Sequence, residues 1–400
     1  MTNGCPSFDI DPFCDELLDQ PYGYYRTLRD AGPVFQLSRY DAFGLARFDN
    51  VRAGMKDWHA FSSAAGPAFN EPLNSSLEGS VTRSEPPEHE RIRTAMVRRL
   101  RLGKLKEFAP VAEQLAADMA AAFLEQKTFD AVTDLAQPFV TTFTGRILGI
   151  PQKVANLAVM ASVAGFDALG PMNQRATEAL PAVGHLFEIM AQLGKSDMTP
   201  GGIAWEILDA RERGELPEPL TLQLLFQYLG PAFETTINGI GNVLWLLARH
   251  PVQWQLLRQQ PALIPSAINE ALRLESPLQI WSRVARDDVA VDGMQIPAGT
   301  RVAMFLGAAN RDERHYPDPE IFDVRRNPAD HLAFGNGIHM CVGAPLARLE
   351  IVSILNALAG KAGDIKLAGE PARRLNNTSR GLASLPIAIR SARRAGQTDR

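Results

Sequence analysis

The sequence predicts a mainly α-helical fold with a minor β region, built as one domain over residues 1–400. Three observations predict it. Apolar residues recur at helical spacing along most of the chain, stretches with period-two alternation are few and short, and no repeat, low-complexity tract or linker divides it. With 46% hydrophobic residues, a chain of 400 can bury a large core.

Taken in order, an N-terminal arm (1–20) precedes helical patterns over Pro21–Ala31, Phe48–Lys56, Glu88–Arg99, Lys104–Glu125, Leu135–Leu148 and Gln152–Ala168. Further patterns cover Arg175–Leu193, Ile203–Arg213, Thr221–Arg249, Pro251–Gln260, Leu263–Glu275 and Ala344–Ala359. The longest, Thr221–Arg249, contains Pro231, which lacks an N–H and clashes with the carbonyl of Gln227, so a local opening is expected there. Strand patterns are short: Val34–Leu37, Ala42–Ala46, Val284–Ala285, Val289–Val291, Arg301–Phe305 and Leu385–Ile389. The stretch 62–84, rich in Gly, Pro, Ser and Asn, is too long for a passive connector. Residues 391–400 form a tail.

A net charge of -4 gives no general pull toward nucleic acid or anionic membrane. Cys5, Cys14 and Cys341 form no Cys-x-x-Cys pair, which argues against a disulfide scaffold or zinc ribbon and for a reducing compartment. Met1–Ile10 lacks a basic and an apolar segment, so no signal peptide is expected. No apolar run approaches the ~20 residues of a membrane span. A soluble, cytoplasmic protein is therefore expected.

The most informative stretch is Phe334-Gly-Asn-Gly-Ile-His-Met-Cys-Val-Gly343. Gly335 and Gly337 permit backbone angles and a close approach that a Cβ forbids. Cys341 then faces the N-terminus of a helix, whose dipole favours thiolate. One thiolate in such a loop suits haem iron better than zinc. The order Phe-Gly-x-Gly-x-His-x-Cys-x-Gly resembles the haem-ligand loop of the cytochromes P-450. That resemblance extends from about Pro21 to Ile389 and implies their fold: a triangular helical prism with a long central helix and a small β region. It implies haem b as cofactor, with Cys341 as the axial iron ligand, Phe334 over the sulfur, Gly335 in the loop, and Gly343 bringing the helix close to the porphyrin. It further implies a monooxygenase that draws electrons from NAD(P)H through a ferredoxin reductase and a [2Fe–2S] ferredoxin.

Other motifs join the resemblance. Gly230-Pro-Ala-Phe-Glu-Thr-Thr236 resembles the family's oxygen-activating segment, with Pro231 and Ala232 as departures. An acid beside a hydroxyl suits proton relay, which points to Glu234 and Thr235 as catalytic residues. His89 and Arg93 share one helical face and, with Arg283 and His339, match positions that hold haem propionates. Glu270 and Arg273 match the family's Glu-x-x-Arg, and Arg326 its second arginine, as a structural triad. The basic run of Arg91, Arg98, Arg99, Arg101, Lys104 and Lys106 would dock an acidic ferredoxin.

A finer resemblance links Thr199–Gly202, Asn238–Gly241, Ser276–Gln279, Met304–Asp312 and Asn376–Gly381 to the bacterial enzymes of this family that O-demethylate or hydroxylate para-substituted benzoates. The pocket would then comprise Phe166, Leu169, Gln227, Phe233, Leu278, Trp281 and Leu382. Those enzymes bind the carboxylate through a loop arginine and central-helix serines. Here Ser76 stands in the loop, Phe226, Gln227 and Gly230 on the helix, and Arg83 is the loop's one basic residue. A plain benzoate should bind weakly, whereas a phenol, a neutral aryl ether or a longer acid reaching Arg83 fits better. A peroxide-driven peroxygenase and a non-enzymatic haem sensor or carrier are the alternatives. The acid–threonine pair argues against the first, and the absence of a visible output domain against the second.

Overall fold

Local chemistry sets where the elements begin and end in the computed structural model, which describes residues 4–100 and 102–391, side chains excepted at Arg99, Leu102 and Lys104. The helices used below are α1 (Tyr22–Ala31), α2 (Phe48–Lys56), α3 (Glu88–Arg99), α4 (Leu102–Gln126), α5 (Gln137–Leu148), α6 (Gln152–Ala168) and α7 (Gln174–Gln192). They continue with α8 (Ile203–Glu212), α9 (Glu218–Leu229), α10 (Glu234–Arg249), α11 (Pro251–Gln259), α12 (Ile264–Leu274) and α13 (Ala344–Lys361). The Asn173 side chain caps α7 by accepting from the Ala176 amide, and Gly149 ends α5 in the left-handed region at φ 72°.

The expected helix Thr221–Arg249 is two helices. Gly230 still donates to the Phe226 carbonyl at 2.7 Å, but Pro231 has no N–H to continue the ladder, and α10 starts only at Glu234. The Thr235 and Thr236 hydroxyls donate to the carbonyls of Pro231 and Ala232, satisfying backbone acceptors at the break. The 62–84 stretch also carries a short helix, Glu71–Ser76, capped by Asn70 with proline in its first turn. That Asn-Glu-Pro signal was legible as a helix start.

The strands are β1 (Ser7–Phe8), β2 (Phe35–Leu37), β3 (Ala42–Leu45), β4 (Phe61–Ser62), β5 (Thr128–Asp130), β6 (Ile280–Ala285) and β7 (Val289–Val291). After them come β8 (Met294–Ile296), β9 (Arg301–Phe305), β10 (Ala362–Leu367), β11 (Ala372–Arg374), β12 (Gly381–Ser384) and β13 (Pro386–Ser391). The largest sheet has the order β1-β2-β3-β9-β6-β4, with β3 parallel and β6 antiparallel to β9. Smaller sheets join β10, β13 and β5, then β11 with β12, and β7 with β8. The main core lies among the helices, where α6 packs on α7, α13 on α4, and α10 against α12 and α13. No single described helix is long and apolar enough to cross a membrane.

Candidate active site

The glycine loop closes on itself. The Cys341 amide donates to the Phe334 carbonyl at 2.9 Å, and Gly335 and Gly337 take φ of 72° and 74°. A Cβ on Gly337 would stand 2.7 Å from the Met55 carbonyl oxygen and 2.8 Å from the Lys56 Cα, so α2 seats the loop only over glycine. Desolvation pushes the Cys341 thiol upward, opposed by the Gly343 and Ala344 amides and by the Arg93 guanidinium.

Cys341 lines a cavity of about 310 Å³. Trp281 and Arg283, two apart on β6, present the same face and both line it. His339 and Arg93 line it too, while His89 is buried beside the loop, its ring centroid 4.6 Å from that of His339. Arg93 donates to the Met340 carbonyl, and the buried Arg283 to the Ser282 carbonyl at 2.9 Å. Among the described residues, no side chain hydrogen-bonds either ring nitrogen of His89 or Nε2 of His339. Burial, reinforced by Arg283, His89 and Arg93, pushes His339 down to about 2, and burial lowers Arg283 to about 10. Among the described residues, none of these four hydrogen-bonds a carboxylate. A thiol beside such donors fits haem, which brings both iron and two carboxylates.

Phe334 and Gly335 line the cavity, as do Phe166, Leu169, Gln227, Leu278 and Trp281. Two expected pocket residues do not. Phe233 is fully buried in the main core, packed among apolar side chains, and does not line the cavity. Leu382 lines a separate cavity of about 310 Å³ with Glu234, Arg374, Val159 and Val163, because β12 packs on the first turns of α10. Gly381 sits so close to Asn238 that a Cβ there would stand 1.9 Å from its side-chain oxygen. Arg83 does not line the cavity; its Nε donates to the Ala64 carbonyl at 3.0 Å and its Nη1 to the Asn74 carbonyl, tying down the loop. Ser76 is likewise spent on the Leu73 carbonyl at 2.8 Å.

Thr235 lines the Cys341 cavity, whereas its neighbour Glu234 points into the second one. Successive residues at a helix start diverge by about 100°. Glu234 Oε1 accepts from Ser379 Oγ at 2.7 Å and from Asn238 Nδ2 at 3.3 Å, and Oε2 has no partner among the described residues. Burial pushes this carboxyl up to about 7, against those two hydrogen bonds. The pair therefore stands between two chambers.

Glu270 joins both arginines expected with it. Arg273 makes two bonds to its carboxylate, at 2.7 and 2.9 Å, and Arg326 Nε lies 3.1 Å from Oε1. Arg91 is exposed and paired with Glu88 at 2.6 Å, and Arg98 is exposed. Arg101 and the side chains of Arg99 and Lys104 lie outside the described residues. Sequence reasoning missed Ser379 as the partner of Glu234, Thr82 as the partner of Gln227, and the buried Glu350. Only Glu350, an acid inside an apolar helical pattern, left a local signal.

The family model for cytochrome P-450 matches residues 253–358. A cytochrome P-450 of Rhodopseudomonas palustris is 35% identical over 399 residues, covering 97% of this chain and 96% of that protein. The beta-dihydromenaquinone-9 omega-hydroxylase of Mycobacterium tuberculosis is 32% identical over 389 residues, covering 95% of this chain and 78% of its own length. Among solved structures, a cytochrome P-450 in complex with (4-ethylphenyl) dihydrogen phosphate superposes with a TM-score of 0.84 at 25% identity, covering 95% of this chain and 98% of that one. With the fold, the loop and near-complete alignment in agreement, the chain belongs to the cytochrome P-450 family, as a monooxygenase that uses haem b and NAD(P)H-derived electrons delivered through redox partners.

Proposed function

We propose that this monooxygenase hydroxylates or O-demethylates a small aromatic substrate. The observation that carries the proposal is that Cys341 and Thr235 line one cavity together with the apolar side chains of Phe166, Leu169, Leu278 and Trp281. Flat apolar side chains favour a flat apolar guest. The solved relative with a bound 4-ethylphenyl phosphate, itself a small para-substituted aryl compound, supports the same class.

Haem, when bound, supplies the iron that activates dioxygen and oxidises the substrate. Cys341 would be its axial ligand, with Phe334 and Gly335 shaping the sulfur side. Arg93, Arg283, His89 and His339 would hold its carboxylates. Thr235 presents its hydroxyl to the cavity, and Glu234, ionising near neutral pH, holds a proton on the chamber behind it. Glu270, Arg273 and Arg326 would brace the loop. Electrons would arrive from a [2Fe–2S] ferredoxin docked beside Arg91, Arg98, Arg99, Arg101 and Lys104, in a single-domain, cytoplasmic enzyme.

The reduced protein with carbon monoxide should give the Soret band of thiolate ligation, and Cys341→Ala should abolish it. A histidine-type band in the unaltered protein overturns the ligand assignment. A spin-state titration showing no response to any small aryl ether or phenol overturns the substrate class.

A further inference from the structure

Beside its apolar walls, the substrate cavity carries a polar pair, Thr82 and Gln227. Thr82, on the 62–84 stretch, donates its hydroxyl to Gln227 Oε1 at 2.9 Å, across 145 residues of sequence. Both side chains line the Cys341 cavity. Gln227 lies on α9, eight residues and about two helical turns before Thr235, on the other side of the Pro231 break. An amide has one acceptor oxygen and two N–H donors, and here the oxygen is already engaged. No described residue accepts from Gln227 Nε2. One turn earlier, Gln223 uses its own Nε2 on the Ser76 carbonyl at 3.0 Å, which helps tie the stretch to α9. Gln227 is thus held in place with its donors spare.

Charge around the pair is equally defined. The cations lining the cavity are Arg93, which donates to the Met340 carbonyl of the Cys341 loop, and Arg283, which donates to the Ser282 carbonyl of its own strand. Arg83 is bound to the Ala64 and Asn74 carbonyls, one residue from Thr82 but outside the cavity lining. A carboxylate placed against Gln227 would be desolvated with a neutral donor as its partner and no cation. A neutral acceptor such as a ketone, ester or amide carbonyl loses far less on leaving water and takes the same N–H.

We infer that Gln227, positioned by Thr82, is a specificity-determining donor that selects neutral aromatic substrates bearing a hydrogen-bond acceptor opposite the oxidised group. This deepens the small-aromatic reading and rests on it. The assay is a spin-state titration of the ferric holoprotein with 4-methoxyacetophenone, 4-methoxytoluene and 4-methoxybenzoate. These share the oxidisable ether and differ only at the far end. The ketone should bind about tenfold more tightly than the toluene, the difference one well-placed hydrogen bond makes, and more tightly than the benzoate. Gln227→Leu should bring ketone and toluene within about twofold by weakening the ketone alone. Gln227→Glu keeps the volume but removes the donor, and should give the same loss for the ketone with benzoate weakened further. Equal affinity for ketone and toluene in the unaltered protein, benzoate binding tightest, or a preference that survives both variants overturns the inference. Those results would leave the small-aromatic reading intact, because that reading falls only if none of the three ligands shifts the spin state.

Discussion

Thr144 Oγ1 donates to Glu350 Oε1 at 2.8 Å, joining α5 to α13, and among the described residues that is the one hydrogen bond this fully buried carboxyl makes. Burial, against the Thr144 hydroxyl, pushes Glu350 up to about 8. Its unfolded value is about 4.3. Between those values the folded chain holds a proton that the unfolded chain has lost, so stability falls as pH rises toward 8. Glu350→Gln should remove that part of the slope and raise relative stability at pH 8 by an amount on the order of a few kcal/mol. Denaturant unfolding of the apoprotein at pH 5, 7 and 9 measures it, and an unaltered slope refutes the assignment.

Glu234 titrates in the functional range for the same reason, raised by burial to about 7. If its proton serves turnover, activity should decline as pH rises through 7 and the carboxyl empties. Glu234→Gln should cut turnover about 100-fold, within the usual range for a general acid, and erase that descending limb. Substrate affinity by spin-state titration should change little, because Glu234 faces the second cavity. A variant with the original pH profile shows that another group titrates.

Glu270 and Arg273 are both fully buried, and Arg326 completes the cluster. Removing the carboxylate leaves Arg273 charged and desolvated with only carbonyl partners. Glu270→Gln should therefore cost about 3–5 kcal/mol. Chemical denaturation should show this loss with an unchanged m-value. A cost under about 1 kcal/mol argues that the carbonyls of Asn310 and Pro319 already suffice.

Electron delivery should depend on exposed charge near Arg98. Arg98→Glu should slow reduction by a reduced [2Fe–2S] ferredoxin about tenfold at low salt, with the difference closing at high salt as screening shortens the reach of the charge. Stopped-flow reduction at two ionic strengths tests this. Equal rates at both would place the docking surface elsewhere.

The sequence by itself determined what depends on neighbours along the chain. Cys341, Gly335 and Gly337 belong to one short loop, and helical periodicity placed most helices correctly. Even the opening near Pro231 was legible, since a missing N–H is a local fact. What only the tertiary structure decided was where adjacent side chains point and who meets them. Thr235 and Glu234 are sequence neighbours facing different cavities. Arg83, the one cation in its stretch, bonds two carbonyls outside the cavity lining, and Phe233 and Leu382 do not line the Cys341 cavity. Ser379 reaches Glu234 across 145 residues, as Thr82 reaches Gln227. Such partners carry no local pattern, because packing brings them together and only desolvation then sets their chemistry.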